Sequence, residues 1–306
     1  MNFSLPKCVI LMATYNGERW LAEQLDSFIA QTGVDLDIIV SDDQSSDNTL
    51  NILKKYSDIL SLKILPSSPT KFGKANLNFI RLICESDIGD AQFIALADQD
   101  DIWREIKLQR AIDQLRVSEA LAYSSDFEAF WPDGRKIIVK KSYPQKQYDH
   151  LFGSPGPGCT FVLKRSFFLE VRSWIKSNLV VLSTLWVHDW FLYAYARMNG
   201  RLWIIDSLPT LLYRQHHSNE IGVNIGLKAM LRRIAVILEG KYRRDIINIA
   251  ELNSVNNDIV RSLRRFNWYD RFWLIWHADK FRRSPKDVFA LRIIFIIMPN
   301  RLNTSK

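Results

Sequence analysis

The chain has 306 residues, 47% hydrophobic and 24% charged, values of an ordinary globular protein and too large for one small core; they fit one large α/β domain with an appendage. Its three cysteines, Cys8, Cys84 and Cys159, are scattered without metal-ligand spacing, which argues against a disulfide framework and suits a reducing cytosol. The net charge of +8 is uneven: residues 227–306 hold 17 Lys/Arg and 7 Asp/Glu (+10), leaving 24 basic and 26 acidic residues (−2) for positions 1–226. That asymmetry calls for an acidic partner surface, a membrane or a nucleic acid. The first apolar run is too short for a signal peptide, and no stretch of about eighteen uncharged apolar residues occurs, so no transmembrane helix is expected.

In chain order, "KCVILMATY" reads as a buried parallel strand, and "NGERWLAEQLDSFIAQ" as a helix with Trp20, Leu21, Leu25, Phe28 and Ile29 at helical spacing. "LDIIVSDD" is a second strand, "SSDNTLNILKKYSD" a helix capped by Ser46 or Asp47, and "LSLKILPSS" a third strand. "KANLNFIRLICES" is helical, "AQFIALADQDD" a fourth strand, and "IWREIKLQRAIDQLR" another helix. Further on, "AYSSDFEAF" reads as a strand, and "GSPGPGCTFVLKR" as a turn leading into a strand. A helix is expected from about Val187 to a Gly200 cap, and strand material in "RLWIIDSLPTLLYRQHHSN". From Leu227 the text is helical, basic and aromatic. Strands alternating with helices predict a mostly parallel sheet covered by helices, with ligands bound beyond the carboxyl ends of the strands.

That edge collects the polar clusters "ATYNGE", "SDDQSSDNT" and "ADQDD". Asp98 and Asp100 share a D-x-D spacing. Carboxylates so close repel unless a cation lies between them, and Mg²⁺ typically completes its shell with substrate phosphates. A solvated acidic turn is the plainer account of an isolated D-x-D. Asp42 and Asp43 precede the cap and are expected to remain free for hydroxyls or a base N–H. In "HDW", Asp189 fits a general base near an acceptor hydroxyl, or equally a carboxylate stabilised by a helix start. His216 and His217 in "YRQHHSN" fit a metal or phosphate contact. There is no dinucleotide, Walker or zinc motif.

Together, "ATYNGE", "DDQSSDNT", "DQDDIW", "GCT", "HD" and "YRQH", in this order over about residues 6–222, closely resemble the inverting GT-A glycosyltransferases of family 2. They look most like the rhamnosyltransferase branch that builds O-antigen and related polysaccharides. The resemblance implies that Ala13, Tyr15 and Glu18 cradle the nucleotide and that Asp43 reaches the base. It implies that Asp100 binds Mg²⁺ or Mn²⁺, and that Asp98 meets the ribose. Thr14, Asn16, Asp42, Lys74, Gln99 and Trp103 fall under the same donor-binding expectation. Asp189 takes the position of the base, with His188 where the family usually has Glu, and His216 lies where a loop closes over the diphosphate and metal.

The expectation is therefore a GT-A domain over residues 1–226 and a basic helical extension over 227–306. It would transfer L-rhamnose from dTDP-L-rhamnose to a lipid-linked glycan at the cytoplasmic membrane face. The alternatives are a UDP-hexose donor and a nucleotide-sugar-binding protein without catalysis; a nucleic-acid partner is not expected. In the tail, Leu227, Met230, Leu231, Ile234, Ile237 and Leu238 share one helical face, and Trp268, Trp273 and Trp276 lie among basic residues. Such helices suit an anionic membrane interface, or pack on the catalytic domain or a second subunit.

Overall fold

The computed structural model describes residues 4–178, 188–216, 237–252 and 258–300. Uninterrupted apolar runs form the inner strands. β1 (Lys7–Thr14) pairs in parallel with β2 (Asp35–Asp42) on one side and β4 (Phe93–Ala97) on the other, and β2 pairs in parallel with β3 (Leu62–Ile64). Next to β4 lies the antiparallel β9 (Val162–Lys164), followed by β6 (Ala122–Ser125) and β10 (Trp203–Asp206). The full seven-stranded order is β10-β6-β9-β4-β1-β2-β3. Apolar helix stripes cover it: α1 (Leu21–Ile29), α2 (Thr49–Tyr56), α3 (Ala75–Glu85), α4 (Lys107–Arg116), α6 (Arg165–Ser177) and α7 (His188–Met198); the short α5 spans Asp149–Phe152. This is the α/β GT-A architecture expected. Register fixes the site: Thr14 lies opposite Asp42, and Met12 opposite Ala97, so three strands end together at one edge.

Three local expectations change. β4 stops at Ala97, and Asp98 to Asp101 form the turn beyond it. The segment from Ile102 is not helical throughout. Ile102–Trp103 form β5, antiparallel to β11 (Leu211–Arg214), and α4 begins only at Lys107. Sheet pairing overrides helix pattern there, because Arg104 N–H also donates to Thr210 O (2.9 Å). "AYSSDFEAF" is two strands, not one. β6 ends at Ser125, and β7 (Phe127–Phe130) joins a second sheet of order β5-β11-β7-β8, with β8 at Lys136–Val139. The switch is pinned at Asp126, whose carboxylate accepts Lys141 N–H (2.5 Å), Ser142 N–H (2.8 Å) and the Ser142 hydroxyl (2.9 Å).

The tail is helical: α8 (Lys241–Leu252), α9 (Asp258–Arg265), α10 (Trp268–Trp276) and α11 (Pro285–Ile297). Asn267 and Asp270 form a capping box on α10, and Ser284 caps α11 with Pro285 in its first turn. One apolar cluster runs from Val9 in β1 to Met298 after α11, so the described tail shares its core with the sheet. Phe281 stacks on Phe152 (4.5 Å between centroids), and Tyr242 on Trp190 (5.9 Å). Of the stripe expected from Leu227, Leu227, Met230, Leu231 and Ile234 lie outside the described residues; Ile237 is buried and Leu238 exposed. Among the described residues, no helix is long and apolar enough to cross a membrane.

Candidate active site

At the strand edge, the loops after β1 and β2 are knitted by their own polar side chains. Thr14 Oγ1 donates to Asp42 Oδ2 (2.8 Å), and Asp42 also accepts Ser45 N–H (2.8 Å) and the Ser45 hydroxyl (2.6 Å). Asn16, at φ 46°, donates its N–H to Ser45 Oγ (2.8 Å) and accepts Ser46 N–H (2.9 Å). Glu18 accepts Asn48 N–H (2.9 Å) and donates its own N–H to Asp47 (3.0 Å). Asp47 in turn accepts Thr49 N–H (3.0 Å), but the N-cap of α2 is Asn48 rather than the expected Ser46 or Asp47, and its side chain makes no capping bond. Ala13 is buried, one residue before the end of β1.

The loop after β4 is clipped onto this framework by Gln99, which accepts Tyr15 N–H (2.8 Å) and donates to Tyr15 O (2.9 Å). A β-carbon on Gly17 would lie 2.3 Å from Gln99 Oε1, so the "NGE" turn needs its glycine. Asp43 is buried and accepts Phe72 N–H (2.6 Å) and Gly73 N–H (2.8 Å). The expectation that Asp42 and Asp43 stay free for ligand is thus corrected: both carboxylates hold protein groups, because the loops they join have N–H donors no strand can satisfy. Lys74 sits exposed at the start of α3. The cation that meets Tyr15 is Lys71, 2.6 Å from its hydroxyl and 3.9 Å above its ring. The sequence offers two lysines in "KFGK", and only the loop's course chooses between them.

The acidic turn divides into layers. Asp100 Oδ2 lies 2.7 Å from His216 Nε2, and the His216 ring stacks on Trp20 with centroids 4.0 Å apart. Arg214 donates to Asp100 O (2.8 Å) and pairs with Glu23 (2.7 Å). Beneath them Asp101 is fully buried and accepts Arg214 N–H (3.1 Å). Burial raises its carboxyl well above the ordinary range, and the charges of Asp100 and Asp98 add to this. Asp98, Asp101 and Cys159 bring ligand atoms within 4.8 Å of one another, a grouping that sequence spacing does not show. Trp103 is corrected from donor contact to core: it is buried, edge-on to Phe28 (4.7 Å), with the buried Lys107 ammonium 3.6 Å above its ring. Burial pulls Lys107 down to about 8. His217 lies outside the described residues.

Asp189 lies in the first turn of α7 and is buried. Its Oδ1 accepts the N–H of Trp190 (2.5 Å). Burial pushes its carboxyl up to about 7, against the opposing pull of the Trp190 N–H, the Lys141 charge and the Ser154 hydroxyl. His188 stacks on Phe79 with centroids 4.1 Å apart, and burial lowers its ring to about 3, so it is neutral. A β-carbon on Gly158 would lie 2.6 Å from His188 Nε2. The "GCT" and "HD" motifs are therefore one packing unit, with His188 wedged against Gly158 to set the start of α7. The loop before that unit is held from the tail. Arg283 donates to Ser154 O (2.8 Å) and pairs with Asp149 (3.1 Å), and a β-carbon on Gly153 would lie 2.5 Å from Arg282 Nη1.

Residues 9–169 match the sequence profile of Glycosyl transferase family 2. The chain belongs to that family. It is 44% identical over 288 residues to the dTDP-rhamnosyl transferase RfbG of Shigella flexneri, covering 94% of this chain and 99% of that one. It is 32% identical over 159 residues to the Escherichia coli UDP-Glc:alpha-D-GlcNAc-diphosphoundecaprenol beta-1,3-glucosyltransferase WfgD, covering 51% of this chain and 60% of the other. Its fold resembles that of S. aureus TarS in complex with UDP-GlcNAc, with a TM-score of 0.54 and 18% identity over 93% of this chain and 83% of that one. It also resembles the Pyrobaculum calidifontis mannosyltransferase PcManGT bound to GDP-Man and Mn²⁺, with a TM-score of 0.52 and 14% identity over 96% and 86% of the two chains. The protein is a glycosyltransferase.

Proposed function

We propose that this glycosyltransferase moves L-rhamnose from dTDP-L-rhamnose, with inversion, to a lipid-linked cell-surface polysaccharide acceptor at the cytoplasmic face of the membrane. The observation that carries the donor assignment is the 44% identity to a dTDP-rhamnosyl transferase along nearly the whole of both chains. The lipid-linked acceptor is supported by WfgD, whose own acceptor is a diphosphoundecaprenol-linked sugar.

In this reading Asp189 takes the proton of the acceptor hydroxyl as its oxygen attacks the anomeric carbon. The bond from that carbon to the diphosphate breaks, and dTDP leaves with the electron pair. A carboxyl held up to about 7 is matched to that task. Asp100 and His216 would hold a divalent metal, Mg²⁺ or Mn²⁺: a carboxylate oxygen and an imidazole nitrogen 2.7 Å apart are a donor pair that such ions accept. When bound, the metal offsets the charge that develops on the departing diphosphate. Asp98, Tyr15 and Lys71 would meet the nucleotide, and Asp43 would act there through the Phe72–Gly73 loop it holds.

The test is a thermal-shift and product-release panel of dTDP-L-rhamnose, UDP-glucose and UDP-N-acetylglucosamine with Mg²⁺ or Mn²⁺. A donor that binds the folded state raises the melting temperature by mass action. dTDP-L-rhamnose should give the largest shift and release dTDP in a single turnover. A larger shift with a UDP-hexose overturns the donor assignment, and binding without any turnover or donor hydrolysis overturns catalysis.

A further inference from the structure

The tail has two faces. Leu274 of α10 and Leu291 and Phe295 of α11 are buried in the common core. On the other side Trp268, Tyr269, Phe272 and Trp276 of α10 and Phe289 and Ile296 of α11 face solvent; Trp268 and Trp276 are 79% and 71% exposed. The need of α10 and α11 to pack on the catalytic half is thus already met, and an aromatic ledge is left over. Aromatic side chains exposed together in this way mark an interaction surface.

Charge decides what covers it. Within the tail, Arg261, Arg264 and Arg265 are engaged by Asp258, Glu251 and Asp270. Lys280, Lys286 and Arg292, on α11 and the turn leading to it, are exposed with Asp279 and Asp287 among them, an excess of one cation, and none of the five forms an ion pair with a described residue. Residues 227–306 carry +10. Trp and Tyr beside Lys and Arg are the composition of a membrane–water interface, where the rings sit at headgroup level and the cations meet anionic lipid. α11 has 13 residues, about 20 Å long, too short to span a bilayer, so it suits lying in the interface.

We infer that the α10–α11 ledge docks this enzyme on an anionic lipid surface. The inference deepens the lipid-linked acceptor reading above, but it stands on the ledge's own chemistry. The ledge also belongs to the acceptor side. The turn between α10 and α11 carries Arg283, which donates to Ser154 O in the loop beside Asp189.

The experiment is flotation of the full chain with vesicles of phosphatidylcholine alone or mixed with phosphatidylglycerol, at low and high salt. No donor is present, so failure here leaves the rhamnosyl-transfer reading untouched. The full chain should float with the anionic vesicles, and less so at high salt. The combined variant Trp268→Ser, Phe272→Ser, Trp276→Ser should lower the bound fraction by roughly fivefold or more while keeping the parent's circular dichroism spectrum and melting temperature. Lys280→Glu, Lys286→Glu, Arg292→Glu should abolish only the preference for anionic lipid. Parent protein that is folded by circular dichroism yet stays with the soluble fraction overturns the inference. So does sedimentation equilibrium showing a dimer that the aromatic variant dissolves, because the ledge would then cover a second copy of the chain.

Discussion

Asp42 and Asp43 at the donor edge sit among N–H and O–H groups of neighbouring loops, and their positions are fixed by three and two such donors respectively. Asp189, in the first turn of α7, has the N–H of Trp190 at its Oδ1, with the Ser154 hydroxyl and the Lys141 charge pulling the same way, and burial still lifts its carboxyl to about 7. The first two carboxylates join neighbouring loops; the third has the raised carboxyl that the proposed base needs. The difference teaches that an acidic motif at a strand edge does not reveal its role by its letters. Burial lifts the Asp189 carboxyl in spite of the donors beside it, and burial is what the letters do not show.

The sharpest way to break this comparison is Asp189→Asn. Loss of a general base lowers transfer by roughly 10² to 10⁴-fold, while donor-induced thermal shifts should stay nearly unchanged. In the parent enzyme, kcat/KM should rise with pH until Asp189 ionises near 7 and then level off. Stability moves the other way. Because the folded-state value is raised above the ordinary one of 3.8, the neutral carboxyl's contribution is fully present below about 4 and is lost as pH rises through about 7. The Asn variant does not titrate, so its unfolding free energy should exceed the parent's by a margin that grows over that window, on the order of 4 kcal/mol at most, and its melting temperature should rise relative to the parent's with it. Parallel loss of donor binding and rate would assign Asp189 to the donor instead.

Asp100→Asn comes next. It keeps size but removes charge from the pair with His216, and transfer should fall by about two orders of magnitude with the fold intact. Full activity in EDTA would contradict this. His216→Ala should weaken the donor-induced thermal shift, with a smaller effect on rate.

Asp43→Ala tests the joint. Phe72 N–H and Gly73 N–H lose their acceptor, which costs about 1–3 kcal/mol. The melting temperature should fall without any ligand, in contrast to Asp189→Asn. A melting temperature equal to the parent's would show that the carboxylate is not holding the loop.

Much of this was legible in the letters. The β1, β2 and β4 strands, their shared edge and the acidic turn follow from apolar runs that end in polar residues, and such runs leave little choice of fold. Asp189 could be picked out because "HD" opens a helix. What the letters hide is pairing across distance. Trp103 looks like part of the acidic motif, yet β5 pairing with β11 turns it into the core against Phe28. Cys159 stands 58 positions from Asp101, and only β9 lying antiparallel beside β4 brings the two together. Lys71 and Lys74 are equivalent as text, and a loop held by Asp43 separates them. The contact of Gly158 with His188 joins two motifs thirty positions apart, and nothing periodic announces it.

The smallest effect, and the one that joins tail to site, concerns Arg283. Its guanidinium pairs with the buried Asp149 and donates to Ser154 O, so it ties the tail to the loop beside the base. Asp149 keeps Arg197 (3.0 Å) and the Tyr193 hydroxyl (2.8 Å) as partners, so Arg283→Ala leaves no uncompensated buried charge and the fold should survive. The Ser154 carbonyl loses its donor, and the loop gains freedom next to Asp189. One such hydrogen bond to a charged donor is worth about 1.5–3 kcal/mol, part of which water restores, so the acceptor's KM should rise by roughly fivefold. Donor-induced thermal shifts should not move. Arg283→Lys keeps the charge facing Asp149 but cannot reach two acceptors at once, and it should fall between parent and Ala. If donor and acceptor parameters decline together, Arg283 serves the fold as a whole and the tail does not shape the acceptor side.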